Sequence, residues 1–590
     1  MKIRKLSAFL LALVVSVNLY GCGEKEKQVT KEEEKFYGTK IEKENTGDIE
    51  DIHLRDRMFL YENQDPKEVV TMYLTVFSGN SGENTDHTWN EINTYSVYDY
   101  DRMGVDRYKV QGLLQVGNEE GVLAGELGYN QISPNCTVQI RGQSSSLNAQ
   151  KNYKISLKDN KGQWRGQSTI ALNKHQGDGL RFRNKLVFDL INGIEQLMGL
   201  RTTFVHLYVK DTTAGGNGQF KDYGLYTQVE QLNKTALEAH GLDKRGHLYK
   251  INFCEFYRYP EQIKLKSDPT YDVKAFEELL EIKGDDDHQK LISMLDRLNN
   301  YTIPIETILE ENFDVENISY WLALNILLGN IDTQSRNFYL YSPLNSEKWY
   351  ILPWDNDASL KRAENAVRKR SDAGAWESGI SNYWGNVLFK RCLKSEEFRK
   401  ALDSAIDDLR SYLSPERITS MTNTYKEVVK PFVYKMPDRM YAPMTENQYE
   451  YVASEIIKEV NNNYLLYKES FEKPMPFYIY VPRYTGDKIT YEWDASYDFD
   501  AENIIYSFEL SRDYNFTNVI YREDDIVIPV VNLDKLPKGQ YFVRVSARNT
   551  SGYSQYAFDY YILESGKVYG TKCFYVDGNG KILEDISVEG

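Results

Sequence analysis

The chain has 590 residues, about 13% of them aromatic, and its 71 basic side chains are outnumbered by 87 acidic ones, for a net charge of −16. A single small domain is excluded, and so is a dedicated nucleic-acid binder, whose phosphate contacts need a basic surface. Five cysteines without a close pair argue against a zinc site or a disulfide framework.

The first segment reads as a targeting signal. Lys2, Arg4 and Lys5 precede an apolar stretch from Leu6 to Val17, too short to span a bilayer, and Leu19-Tyr20-Gly21-Cys22 follows. Residues 1–22 therefore resemble a bacterial lipoprotein signal in which Cys22 is acylated, the alternative being a plain signal peptide with an incidental cysteine. The expected location is extracytoplasmic, at the bacterial cell surface, with the membrane contacted only through the lipid anchor. From Glu24 to Asn45, 13 of 22 residues are charged, so residues 23–65 read as a disordered tether.

Beyond the tether, β-branched and aromatic runs predict a strand-rich unit over residues 66–231. It includes a helix within Arg181–Met198 and a hairpin from Thr203–Val209 and Tyr223–Val229. Helical periodicity dominates from Asp272 to about Ser470, as in Val315, Ile318, Leu322 and Ile326, or Phe398, Leu402, Ile406 and Leu409. A strand-rich half followed by a helix-rich half predicts an α+β body of two lobes, 66–231 and 232–472. Alternation in Gly539–Ala547 and shorter strand patterns before it predict an all-β sandwich over 473–565. Trp493 and the run from Tyr541 to Asn549 resemble an immunoglobulin-like fibronectin type III module, a class that spaces, displays or binds protein or carbohydrate. Residues 566–590 carry no assignment.

Chemistry is concentrated between Asn330 and Asp357. A helix ending near Gly329 delivers Asp332 to a loop, and two aromatic runs, Phe338–Tyr341 and Trp349–Leu352, form a hairpin whose entrance carries Asn337 and whose exit carries Asp355. Both ends of a hairpin lie together, so three carboxylates and a carboxamide converge. Hard oxygen ligands of this kind suit Mg²⁺ or Mn²⁺. The five-residue step from Asp332 to Asn337 matches the Asp-to-Asn spacing of the protein-kinase catalytic loop, with Asp355 in the place of the metal-binding aspartate after the hairpin. The usual His-Arg before the base is replaced by Asn330-Ile331.

Together with Ile140–Ser146, Lys151-Asn152-Tyr153, Arg183–Leu186, Gly224-Leu225-Tyr226 and Val229-Glu230-Gln231, these motifs resemble the spore coat protein H (CotH) family of atypical secreted kinases, across about residues 66–470. The resemblance implies a two-lobed kinase-like core that transfers the ATP γ-phosphoryl group to hydroxyls of secreted or cell-surface proteins. It implies Asp332 as the base, Asn337 and Asp355 as metal ligands, and Asp357 as a further ligand or a carboxylate behind them. Arg141, Ser144 and Ser145 lie in a small-residue loop suited to phosphate. Lys151 shares a strand face with Tyr153, Ile155 and Leu157 and is the expected phosphate amine, although packing of its stem explains it equally well. Glu230 either helps to hold the adenine or forms a salt bridge between lobes. Arg183 and Arg336 are open to phosphate or carboxylate partners, and Glu195 is the one helix glutamate offered to Lys151. Two classes remain open: a surface-anchored kinase, and a non-catalytic kinase-like binding or adhesion protein. Metal-dependent hydrolysis would use the same carboxylates but leaves the Lys151 segment unexplained.

Overall fold

The computed structural model describes residues 53–370, 376–563 and 566–585. The targeting signal with Cys22, and the tether up to residue 52, lie outside them.

Eight strands build the first lobe: β1 (Val69–Phe77), β2 (Val110–Asn118), β3 (Gly121–Val122), β4 (Cys136–Arg141), β5 (Asn152–Leu157), β6 (Thr169–Asn173), β7 (Thr202–Asp211) and β8 (Phe220–Glu230). Their order is β1-β7-β8-β6-β5-β4-β2-β3, and β1 also pairs with β2, so the sheet closes on itself. All of these pairings are antiparallel except β1 with β7. Closure gives every strand an inside and an outside. Met72, Leu74, Leu114, Val138, Ile140, Tyr153 and Ile155 fill the inside as one apolar cluster with Trp89 and Tyr100 from two short helices. The alternating burial of β4 follows from this, with Cys136, Val138 and Ile140 buried and Thr137, Gln139 and Arg141 only half-buried.

Helix α1 (Arg183–Ile191) follows β6 and is buried along its whole length. The second lobe is organised around α2 (Val315–Leu328), in which every residue from Asn317 to Leu328 is buried. The sequence suggests a one-faced helix here, but α3 (Glu396–Tyr412) and α5 (Glu446–Glu472) pack on it from different sides and leave no wet face. α3 keeps the amphipathic pattern, burying Phe398, Leu402, Ala405, Ile406 and Leu409. α4 (Pro415–Val433) starts on a Ser414 cap and runs against α5. A four-stranded sheet, ordered β10 (Leu280–Ile282), β9 (His247–Ile251), β11 (Phe338–Ser342), β12 (Tyr350–Pro353), lies within the second lobe in sequence and carries the hairpin.

The C-terminal region is all β. Arg483–Thr485, Lys488–Glu492 and Val530–Asp534 form one antiparallel sheet. Val519–Ile526, Ile504–Ser511, Gly539–Asn549, Thr571–Val576 and Ile582–Glu584 form the other, and both share a core around Tyr491, Trp493, Phe508, Val545 and Phe574. Thr571–Val576 pairs directly with Gly539–Asn549, so residues 566–585, unassigned from sequence, supply integral strands. This β-region is not a free appendage. Met475, Phe558 and Tyr569 belong to the apolar cluster of the helical lobe, and Trp376 Nε1 donates to the Phe558 carbonyl at 3.1 Å. Among the described residues, no helix is long and apolar enough to cross a membrane, and Cys136, Cys254, Cys392 and Cys573 are buried and unpaired.

Candidate active site

Gly329 ends α2 in the left-handed conformation (φ 60°), its N–H bonded to the carbonyls of Asn325 and Ile326, and this turns the chain into the loop that carries Asp332. The loop is pinned from several sides. Thr333 Oγ1 donates to the Asn330 carbonyl at 2.8 Å and meets the Tyr383 hydroxyl at 2.9 Å, and Asn386 Nδ2 donates to the Gln334 carbonyl at 3.0 Å. At its end Asn337 Nδ2 donates to Asp332 Oδ2 at 2.7 Å and to the Asp332 carbonyl at 3.0 Å. The hairpin then pairs Phe338 with Pro353 and Tyr341 with Tyr350, so Asn337 and Asp355 leave from one end, as the spacing requires.

Both of those residues are non-glycine residues at positive φ, 62° for Asn337 and 52° for Asp355. Such backbone costs about 1–3 kcal/mol per residue and clusters at functional sites. The strain is held by neighbours: Asn317 Oδ1 accepts from the Ile351 N–H at 2.7 Å, and Asn184 Oδ1 accepts from the Asn356 N–H at 2.9 Å.

The carboxylates feel one another. Burial, with the charges of Asp357 and Asp332, pushes the Asp355 carboxyl up to about 6, against the opposing pull of His175 and Arg141. Burial also raises Asp332, with Asp357 adding to it and Arg336 and Asn337 opposing. Asp357 goes the other way. Burial would raise it, but a hydrogen bond from His175 and the charges of Lys361, His175 and Arg183 outweigh that and hold it well below the usual carboxylate range. The site is open to solvent, since Asp332 keeps 51% of its side-chain exposure and Asp357 35%.

The donor set, two or three carboxylates and a carboxamide, is the hard-oxygen chemistry that suits Mg²⁺ or Mn²⁺. Among the described residues no three His, Cys, Asp or Glu side chains form a metal cage by themselves.

The cation opposite these acids is Arg141. Its guanidinium is lowered by burial and supported first by the charge of Asp355, lies 5.8 Å over the Trp354 ring and donates to Asn173 Oδ1. Lys154 and Lys250 both feel Arg141, and Lys250 also feels Asp355. Lys151 is not among them. Its face of β5 points into the closed sheet, and its amine donates to the Ser146 carbonyl at 2.6 Å and feels Asp99. The expectation that the apolar face leads to phosphate is therefore corrected, because in a closed sheet that face leads to the core. The loop after Arg141 is tight: Gly142 sits at φ +89°, where a Cβ would meet Ser145 Oγ at 2.0 Å, and Ser145 Oγ accepts from Asn152 Nδ2 at 3.1 Å. Ser144 is exposed.

Glu230 does not reach a ligand. It is 1% exposed, one carboxylate oxygen accepts from Arg201 Nε at 3.1 Å and lies 3.0 Å from His240 Nε2, and the other accepts from Arg201 Nη2. Despite burial, these partners hold its carboxyl at about 2. Glu230 pairs with Arg201 of its own lobe and with His240 of the next, and the adenine contact is withdrawn, since both oxygens are taken. Arg183 likewise pairs with Asp178 and with Glu364 at 2.6 Å, Arg336 stacks 4.3 Å over Phe253, and Glu195 lies beyond the end of α1, 3.8 Å from Arg55.

Two residues escape a sequence reading. His175, at φ 48°, places Nδ1 3.3 Å from Asp357 Oδ2. Lys174, 2% exposed, places Nζ 2.6 Å from Asp438 Oδ1 and donates to the carbonyls of Tyr223 and Leu225. Its pKa falls to about 8 through burial, against the pull of Asp438. Neither belongs to a local motif. The Gly224-Leu225-Tyr226 motif gives half of the signal: at φ +73° Gly224 leaves room for Asp438, whose Oδ2 a Cβ would meet at 2.2 Å, and Asp438 accepts from the Leu225 N–H at 2.9 Å.

The sequence from 138 to 466 matches the family described as CotH kinase protein, more than half of the chain. The chain belongs to that family. It is also 25% identical over 316 residues to the inner spore coat protein H of Bacillus subtilis (strain 168), covering 52% of this chain and 80% of that one. The CotH match begins within β4 and ends within α5, so it takes in Arg141 and all four site residues but leaves out β1, β2 and the C-terminal β-region.

Proposed function

We propose that this CotH-family chain is a surface-anchored kinase that transfers the γ-phosphoryl group of ATP to a hydroxyl of a secreted or cell-surface protein, held at the membrane through acylated Cys22. The observation that carries the reading is one cleft in which a half-exposed Asp332, fixed by Asn337, shares its electrostatics with Asp355 and Asp357 opposite Arg141.

In this reading Asn337, Asp355 and Asp357 hold Mg²⁺ or Mn²⁺, which when bound neutralises phosphate charge. Arg141 orients phosphate oxygens, supported by Lys154 and Lys250. Asn337 occupies Asp332 Oδ2, and Oδ1, which would meet the acceptor, lies 3.8 Å from Arg336 Nε. As the acceptor oxygen bonds to the γ-phosphorus and the bond to the ADP oxygen breaks, the hydroxyl proton passes to Asp332. A second reading, a kinase-like adhesion protein without catalysis, is favoured by the name of the similar Bacillus protein, which is that of a spore coat protein.

Thermal melting with ATP and millimolar Mg²⁺, followed by phosphate incorporation, separates them. The kinase reading expects nucleotide-dependent stabilisation in wild type and in Asp332→Asn, with incorporation only in wild type. A wild-type chain that binds no nucleotide overturns it.

A further inference from the structure

A cavity of about 900 Å³ lies between the helical lobe and the C-terminal β-region, within the roughly 300–1,000 Å³ usual for ligand sites. None of Arg141, Asp332, Asn337, Asp355 and Asp357 lines it. Yet it touches the candidate catalytic loop: Asn330 and Ile331, just before Asp332, and Ala358, just after Asp357, form part of its wall. Lys567, from the β-region, lines it and acts on Asp332 by its charge.

Its charge runs against that of the chain. Lys361, Arg362, Arg370, Lys473 and Lys567 line it against two carboxylates, Glu377 and Glu459. Glu377 is spent on Lys567 and the Tyr569 hydroxyl. Glu459 is spent on the backbone N–H groups of Arg362 and Ala363, and burial raises its carboxyl. Lys473 pairs with Glu469 at 2.7 Å, whereas Lys361, Arg362 and Arg370 have no ion-pair partner among the described residues. Buried polar groups ordinarily find partners, but Asn330 Oδ1 and Asn382 Oδ1, from residues that line the cavity and are 1% and 2% exposed, have none. Asn382 meanwhile donates to the Ile331 carbonyl at 3.3 Å, which ties the cavity wall to the loop.

We infer that this cavity is the acceptor site and that it takes a peptide segment rich in acidic side chains, with the C-terminal β-region as its outer wall. The word acceptor rests on the kinase reading, but the binding does not. Five basic side chains against two engaged carboxylates select for carboxylates, with Lys361, Arg362 and Arg370 lacking an ion-pair partner among the described residues. The β-region is thereby part of the substrate site and not only a display module.

The test uses the chain from residue 53 onward with two short fluorescent peptides, one serine set among glutamates in the first and among lysines in the second, read by anisotropy without nucleotide. Wild type is expected to bind the glutamate peptide, more weakly as salt rises, and not the lysine peptide. The double reversal Arg362→Glu with Arg370→Glu, melting close to wild type, is expected to lose at least about tenfold in affinity for the glutamate peptide. Equal binding of both peptides, unchanged affinity in the double variant, or displacement of the peptide by free ATP would overturn the inference. Peptide binding without any nucleotide stabilisation would sink the kinase reading and leave this site standing.

Discussion

Asp355 bears two costs at once: a left-handed backbone and a buried carboxyl crowded by Asp357 and Asp332. Asp355→Gly removes both, so it is expected to raise stability in urea unfolding by about 1 kcal/mol. The same change is expected to abolish Mg²⁺-dependent nucleotide stabilisation. Asp332→Asn keeps the shape and loses the proton acceptor, and phosphate incorporation is expected to fall by about 10²–10⁴-fold with nucleotide binding retained. Glu230 and His240 carry a pH signature. Burial would lower His240, but its contacts with Asp56 at 2.6 Å and Glu230 push it up to about 9. A raised folded pKa contributes stability that is complete below the unfolded value near 6.5 and is lost as pH climbs through about 9. Wild type is therefore expected to exceed His240→Gln by on the order of 3 kcal/mol at pH 6, a margin that shrinks toward pH 9 in denaturant titrations. At the acid end Glu230, held low, gives up its share only as pH falls toward about 2.

At the scale of elements, the hairpin and the closed sheet do different work. Pairing of Phe338 with Pro353 is local, and so the convergence of Asn337 and Asp355 was legible from spacing alone. The choice between Arg141 and Lys151, both named from sequence, was not, because alternation along β5 separates two faces without saying which one is wet. Lys151 shares its face with Tyr153 and Ile155, which fill the sheet interior, while Arg141 and Lys154 occupy the outer face. The joint between lobes is equally non-local. Asp438 gathers Lys174, Gln150 Nε2 at 2.8 Å and the Leu225 N–H across hundreds of residues. Gly224→Ala drives a methyl into Asp438 at a positive φ and is expected to cost at least about 2 kcal/mol, seen as a lower melting temperature.

For the whole molecule, the seam between the helical lobe and the β-region is the feature that most changes the reading. Trp376 packs edge-on against Phe558 with ring centroids 4.9 Å apart, and Trp384 lies 5.3 Å from Tyr497. Asn549 Nδ2 reaches the Glu472 carbonyl at 2.9 Å and Gln555 Nε2 reaches Ser381 Oγ at 3.3 Å. Such an interface couples unfolding of the two parts. Trp376→Ala, at about 3–5 kcal/mol, is expected to split one calorimetric transition into two.

Sequence by itself determined the order of strand-rich, helix-rich and all-β regions and the acidic residues of the cleft, because apolar periodicity and hairpin geometry act over a few residues. Tertiary structure alone decided that Arg141 and not Lys151 faces those acids, that Glu230 is consumed by Arg201 and His240, and that strands beyond residue 566 complete the last sheet. The reason is the same in each case: a charged side chain is assigned by which partners reach it, and those partners come from segments that only folding brings together.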